Sequence, residues 1–303
     1  MNNAPLFRGT ISPVPTIWTT EGQLDPVGMG NMLDFVINGG ADVVFCCGSA
    51  GEFSQMNDAQ RREVAEFTVK HVAGRIPVLV GIASCSTDMA IEFGLHAKKI
   101  GADGVVAVNP FYAILLPDNI ALHFRRLAAA LDLPIILYNF PALTGQDLSP
   151  AMILSLAREC PNIVGVKDTT DTSRHIRDVI AAVKPVRPDF GVYAGFDEYM
   201  LETLIMGGDG GFPSALNFAP HIPVGLWKAF QAKDGAKLIE LQRLLCLCPP
   251  MFSLESPFYA VVKEAAKLAG VKISTHVLPP AVPLSDAKRD KVKETLRQLA
   301  VID

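Results

Sequence analysis

The sequence predicts an α/β fold, a (β/α)8 TIM barrel with a C-terminal helical extension. Three observations predict it. Through the first two-thirds of the chain, short apolar runs ending in Gly, Asn or Asp alternate with longer amphipathic segments. Eight such runs occur, the number that closes a barrel rather than leaving an open sheet. Most are apolar along their whole length, as expected of parallel strands buried on both faces.

The strands are expected at 9–15 (GTISPVP), 41–48 (ADVVFCCG), 77–82 (PVLVGI) and 104–110 (GVVAVNP). They continue at 134–140 (PIILYNF), 163–168 (IVGVKD), 190–195 (FGVYAG) and 210–215 (GGFPSA). The eighth carries Pro213, which has no N–H to give a ladder. Between them, helices are expected at 26–38, 58–72, 87–100, 117–130, 150–158, 173–183 and 198–206. Asp25, Asn57, Ser86, Ser149 and Thr172 stand where N-caps belong. After about residue 217 the alternation stops. Helical stretches are expected near 219–231, 234–247, 256–269 and 286–300, with a Pro-rich connector at 274–286. The chain therefore divides into a barrel over 1–217, with its active site at the C-terminal strand ends, and a helical extension over 218–303.

Composition limits the function classes. The chain has 303 residues and a formal net charge of −4, and no basic patch stands out, which argues against nucleic acid. No apolar run reaches the roughly 18 residues of a membrane span. The N-terminus lacks the charged-then-apolar pattern of a signal peptide, so a cytoplasmic enzyme is expected. The six cysteines sit mostly in apolar stretches, as small core residues of a reducing compartment do. Cys246 and Cys248 have a metal-like spacing, but no second pair accompanies them. The six histidines are scattered, and none is expected to form a ligand pair with a strand-end carboxylate. No metal site is expected.

In a barrel of this kind chemistry sits at the C-terminal strand ends. That rule selects Gly48–Glu52, Asn109–Tyr112, Tyr138–Asn139, Lys167–Asp168, Gly195–Glu198 and the region of Ser214. Lys167 is the only lysine on a strand candidate; the other thirteen fall on helices, their ends or connectors. Desolvation at the barrel mouth lowers the pKa of an amine, and a neutral amine can attack a ketone to form a Schiff base. Position alone fits equally a structural lysine paired with Asp168 or Glu52. Tyr138 ends the neighbouring strand, where a phenol can shuttle a proton; it fits a core tyrosine as well. The GSAGE turn (48–52) offers backbone N–H groups to a carboxylate and the Ser49 hydroxyl as a relay, or it is an ordinary glycine turn. It lacks phosphate-loop spacing, and the chain has neither a GxSxG elbow nor a dinucleotide fingerprint.

GSAGE after the second strand, YNFPALTG after the fifth, GVKDTT on the sixth and AGFDE after the seventh, in this order, resemble one superfamily. It is that of dihydrodipicolinate synthase and N-acetylneuraminate lyase. Within it the chain is most similar to bacterial 2-keto-3-deoxygluconate aldolases, through GEFSQ, YNFPALTGQDL, NFAP and STHVLPPA. The resemblance implies a class I, pyruvate-dependent aldolase with no metal or organic cofactor, working through a covalent imine. On it, Lys167 is the imine-forming lysine and Tyr138 the general acid/base. Ser49 is the hydroxyl linking Tyr138 to Tyr112, which reaches into a neighbouring subunit's site. The N–H groups of Ser49 and Ala50 hold the pyruvate carboxylate. Gly195 and Phe212 line the pyruvyl and substrate pocket, and Ser214 stands at the eighth strand's end beside it. Thr170, Asp197 and Glu198 are candidates for the sugar tail, although Asp197 and Glu198 fit equally as caps of the following helix.

Departures from the family pattern carry information. Ala50 replaces a threonine, leaving only its backbone role. Leu143 stands where the synthases carry an arginine that clamps the carboxylate of aspartate semialdehyde, and that loss argues against synthase activity. The resemblance also implies a homotetramer, a dimer of dimers, acting on a keto acid and an aldehyde. N-acetylneuraminate lyase, a dehydratase on the same Schiff base and a non-enzymatic keto-acid sensor are the competing readings.

Overall fold

The computed structural model describes residues 4–303. Eight parallel strands close into a barrel in chain order: β1 (Gly9–Pro13), β2 (Val43–Cys46), β3 (Val78–Gly81), β4 (Gly104–Val108), β5 (Ile135–Asn139), β6 (Ile163–Asp168), β7 (Gly191–Ala194) and β8 (Gly210–Gly211). The helices that follow β1 to β7 are α1 (Pro26–Asn38), α2 (Asp58–Val72), α3 (Thr87–Lys99), α4 (Pro117–Ala130), α5 (Pro141–Thr144) with α6 (Pro150–Glu159), α7 (Ser173–Val183) and α8 (Met200–Ile205). Every element described after Pro220 is helical: α9 (His221–Ala232), α10 (Gly235–Leu245), α11 (Cys248–Phe252), α12 (Tyr259–Leu268) and α13 (Asp286–Gln298).

The helix starts are where the capping chemistry puts them. Asp25 accepts from the N–H groups of Val27 and Gly28, and Asn57 forms a reciprocal capping box with Gln60. Ser86, Ser149 and Thr172 cap α3, α6 and α7. Each satisfies N–H groups that have no partner within the helix. α1 buries Met29, Met32, Leu33 and Val36, the i, i+3, i+4, i+7 stripe of a helix laid on a sheet.

Two predicted elements differ. The eighth strand was expected over 210–215, but β8 is only Gly210–Gly211, and Ser214–Asn217 forms a 3-10 turn. Pro213 sits between them and cannot continue the ladder. The helix expected at 198–206 begins only at Met200, because Asp197–Tyr199 is a 3-10 turn. The N-cap positions of that turn and of α8 are Phe196 and Tyr199, and neither makes a side-chain cap bond.

Contacts gather the chain into two units. One joins Leu79–Phe212 to the described residues up to Gly9; the other joins Thr10–Val78 to Pro213–Asp303. In the first, β4, β5, β6 and β7 pair in unbroken succession, and the Gly9 N–H donates to the Asp209 carbonyl. Gly210 lies at φ +153°, and a Cβ there would run into the Gly9 carbonyl, so only glycine fits. Buried Tyr193 donates its hydroxyl to the Phe7 carbonyl at 2.6 Å. In the second unit, β1 pairs with β2, and Asn217 donates to the Pro13 carbonyl at 3.1 Å.

Candidate active site

In the first unit, the β5–β6 register sets Tyr138 directly opposite Lys167. Lys167 is 5% exposed. Its Nζ lies 4.2 Å from the centre of the Tyr138 ring and 4.8 Å from that of Phe212. Aromatic faces favour an ammonium, yet burial dominates. It pulls the Lys167 pKa down from 10.5 to about 7, against the charge of nearby Asp197, which pulls the other way. The amine is therefore partly neutral near pH 7.

Tyr138 is buried, with its ring stacked on Phe140, which meets Phe196 edge-on. Asp197 is buried, and Glu198 is desolvated enough to raise its carboxyl pKa. Gly195 donates its N–H to the Asp168 carbonyl at 2.7 Å. A side chain at Gly195 would collide with Thr169, so this strand end can pass β6 only as glycine. Thr170 is buried, and its hydroxyl is turned to the Thr172 carbonyl at 3.3 Å. Tyr112, in contrast, is 91% exposed on the segment after β4.

In the second unit, Ser49 and Ala50 form the turn after β2. Its internal bonds use the N–H groups of Gly51, Glu52 and Phe53, and that of Ala50 takes part in none of them. The Thr16 hydroxyl holds the Gly51 carbonyl at 2.8 Å. Glu52 closes the turn in the left-handed region, at φ +64°. Its carboxylate is fully buried and ion-paired with Lys263 of α12, which is equally buried. The Leu278 N–H donates to the same carboxylate at 3.0 Å, and Lys263 donates to the His276 carbonyl at 2.7 Å. Burial raises the Glu52 pKa against the Lys263 charge, and lowers that of Lys263 to about 8 against the Glu52 charge. Ser214 is buried in the turn that follows Pro213.

The two carboxylates offered as structural partners of Lys167 are engaged elsewhere. Glu52 pairs with Lys263. Asp168 receives the Nδ1 of His175 at 2.6 Å and the Asn139 amide at 3.3 Å. His175 is thus bonded to a strand-end carboxylate, a contact that the scatter of the histidines along the sequence did not suggest. His175 starts in the first turn of α7, which packs over the end of β6. Sequence reasoning also missed Lys263 and Asp147. A signal existed for Lys263: Tyr259, Val262, Lys263 and Ala266 fall on one helical face, so the lysine stands in an apolar stripe. Among the described residues, no group of three His, Cys, Asp or Glu side chains is arranged to hold a metal. Among the same residues, no helix is long and apolar enough to cross a membrane.

The closed parallel barrel, with a desolvated lysine and a tyrosine facing each other at strand ends, places the chain in the class of (β/α)8 enzymes that work at the C-terminal mouth. The chain belongs to the Dihydrodipicolinate synthetase family, which matches residues 6–299. It is 44% identical over 299 residues to YagE of Escherichia coli strain K12, covering 99% of both chains. That protein is provisionally named a 2-dehydro-3-deoxy-D-gluconate aldolase. It is 43% identical over 296 residues, 98% of both chains, to YjhH of the same strain, provisionally named a 2-dehydro-3-deoxy-D-pentonate aldolase. The crystal structure of YagE in complex with pyruvate superposes with a TM-score of 0.97 over 98% of this chain and 100% of that one.

Proposed function

We propose that the chain is a class I aldolase that reversibly cleaves a 2-keto-3-deoxy sugar acid, such as 2-keto-3-deoxygluconate, to pyruvate and an aldehyde. The observation that carries this reading is the Lys167 amine, buried against the Tyr138 ring with its pKa brought down to about 7. The pyruvate bound by YagE and the names of the two Escherichia coli relatives support it.

The neutral Lys167 amine adds to the C2 ketone, and loss of water leaves a protonated imine. Asp197 opposes neutrality of the free amine but favours this cation, so one carboxylate serves the step after attack. Tyr138 takes the proton of the C4 hydroxyl. The C3–C4 electron pair then flows into the iminium, and the aldehyde leaves, glyceraldehyde from a six-carbon acid. The remaining enamine takes a proton at C3 from Tyr138, and water releases pyruvate and the amine. The lysine is the electron sink, so the scheme calls for no metal or organic cofactor. Ser49 relays the Tyr138 proton to Tyr112 of a neighbouring copy, and the N–H groups of Ser49 and Ala50 hold the carboxylate. Gly195 and Phe212 shape the pyruvyl pocket, while Thr170, Asp197, Glu198 and Ser214 face the tail.

The barrel over 1–217 carries this chemistry, and 218–303 is the extension that supports it. A homotetramer, a dimer of dimers, is the proposed assembly. The segment after β4 exposes Tyr112, Ile114 at 74% and Leu116 at 72%, an apolar surface suited to a second copy. The thiols are free and mostly buried, which suits the cytoplasm. Leu143 is exposed on α5 and offers no clamp for a second carboxylate.

A coupled assay of pyruvate release tests the reading. 2-Keto-3-deoxygluconate should give pyruvate and glyceraldehyde, and the five-carbon acid pyruvate and glycolaldehyde. Loss of water with the carbon chain intact, pyruvate from N-acetylneuraminate alone, or pyruvate binding without turnover would each overturn it.

A further inference from the structure

On a strand, successive side chains point to opposite faces. The register that sets Tyr138 opposite Lys167 therefore sets Asn139 opposite Asp168 on the outer face, toward α7. There the side chains form a cycle of three hydrogen bonds and one ion pair. The Asn139 amide donates to Asp168 Oδ1 at 3.3 Å and to Asp147 Oδ1 at 2.9 Å. His175 Nδ1 meets Asp168 Oδ2 at 2.6 Å, and Nε2 faces Asp147 Oδ2 at 3.4 Å. The Asn139 oxygen accepts the Leu148 N–H at 3.0 Å. The cycle thus joins the ends of β5 and β6, the segment after α5 and the first turn of α7.

We infer that this Asn139–Asp147–Asp168–His175 cycle is a clamp that fixes the separation of Tyr138 and Lys167 for proton transfer, with His175 as its positioning residue. The inference rests on the catalytic reading of that pair. A carboxylate sits on each nitrogen of the imidazole, and that arrangement is met by a ring carrying both protons. Burial works against this charge, but the carboxylates of Asp147 and Asp168 prevail and raise the pKa to about 10. The clamp is therefore charged and closed at neutral pH.

Three points favour a geometric role. Backbone support thins out here: past the Asn139–Asp168 pair, the Thr169 N–H still donates to the Asn139 carbonyl at 2.8 Å, and the side-chain cycle carries the restraint further. The Asp168 side chain is fully buried, and buried ion clusters are often no more stabilising than well-packed apolar residues. The cycle also lies directly behind the one pair whose spacing the chemistry requires. His175 touches neither substrate nor reacting atom in this scheme.

The test compares wild type with His175→Ala, His175→Asn and Asp147→Asn on 2-keto-3-deoxygluconate. It reads kcat, KM, the rate of borohydride trapping of pyruvate on Lys167, and melting temperature. His175→Ala should lower kcat about 100-fold, as expected of a displacement near 1 Å, with KM and trapping changed less than about threefold. His175→Asn keeps a donor toward Asp168 and should recover about tenfold of that loss. Unchanged kcat in His175→Ala, or a loss matching the unfolded fraction, would overturn the inference. If His175→Ala does not fold, the half-exposed Asp147→Asn decides: a lowered kcat with normal trapping supports the clamp, and a normal kcat overturns it. Wild type that fails to trap pyruvate at Lys167 would reject the catalytic reading instead.

Discussion

Lys167 and Tyr138 were legible in the sequence because strand ends are legible. An apolar run that ends in a lysine, beside one that ends in a tyrosine, needs only the barrel rule to bring them together. Their partners were less so. His175 lies seven residues beyond Asp168, and nothing local says that the first turn of α7 folds back over the end of β6. Asp147 reaches the same cluster from beyond α5. The Thr170 hydroxyl, a candidate for the sugar tail, donates within its own loop to the Thr172 carbonyl, a bond that no sequence pattern announced. The electrostatics at this scale make a prediction with a definite sign. The Lys167 pKa is lowered to about 7, so the neutral, reactive fraction grows as pH rises through that value. Trapping of pyruvate should climb with pH, reach half its maximum near pH 7 and level off above about pH 8. Asp197 opposes the lowering, so Asp197→Asn should move the midpoint to lower pH. A climb that begins only above pH 9 would mean an ordinary solvated lysine. The same shift bears on stability. Between about pH 7 and 10.5 the unfolded chain holds this proton more tightly than the folded one, so the Lys167 contribution to stability rises with pH across that window.

At the scale of elements, capped helices were predicted to within a few residues, because polar N-caps and apolar stripes are local signals. Short elements were not. α5 and α11 span four and five residues, too few for a period to show. β8 stopped at Gly211 because Pro213 follows. The buried link from α12 to the GSAGE turn was hidden for another reason: Glu52 and Lys263 are far apart in sequence, and the apolar stripe around Lys263 says that it is buried but not what it meets. Their burial predicts a non-additive pair. Glu52→Gln or Lys263→Met alone should cost about 3–5 kcal/mol, because each strands a buried charge. The double variant strands none and should recover most of that loss, as denaturant midpoints would show. Single effects that simply add would contradict the pairing. The same pair holds the turn proposed to bind the pyruvate carboxylate, so the surviving double variant should show a raised KM for pyruvate in the synthetic direction.

For the whole molecule, the (β/α)8 architecture followed from rhythm alone, since eight repeats of one local pattern leave few ways to close. The grouping of contacts did not. Thr10–Val78 joins Pro213–Asp303, segments from opposite ends of the chain, and although the pattern changes near residue 217, no composition shift marks the break at Val78. The aldehyde was not legible either. In the proposed reading it depends on side chains such as Asp197, Glu198 and Phe212, whose residue types suit several sugars, and Leu143 only removes one option. The central claim concerns one nitrogen atom. Incubation with pyruvate and borohydride, followed by digestion and mass spectrometry, should place one reduced pyruvyl group on Lys167, and Lys167→Met should abolish it. A folded, unmodified Lys167, or the adduct on another lysine such as Lys263, would contradict it.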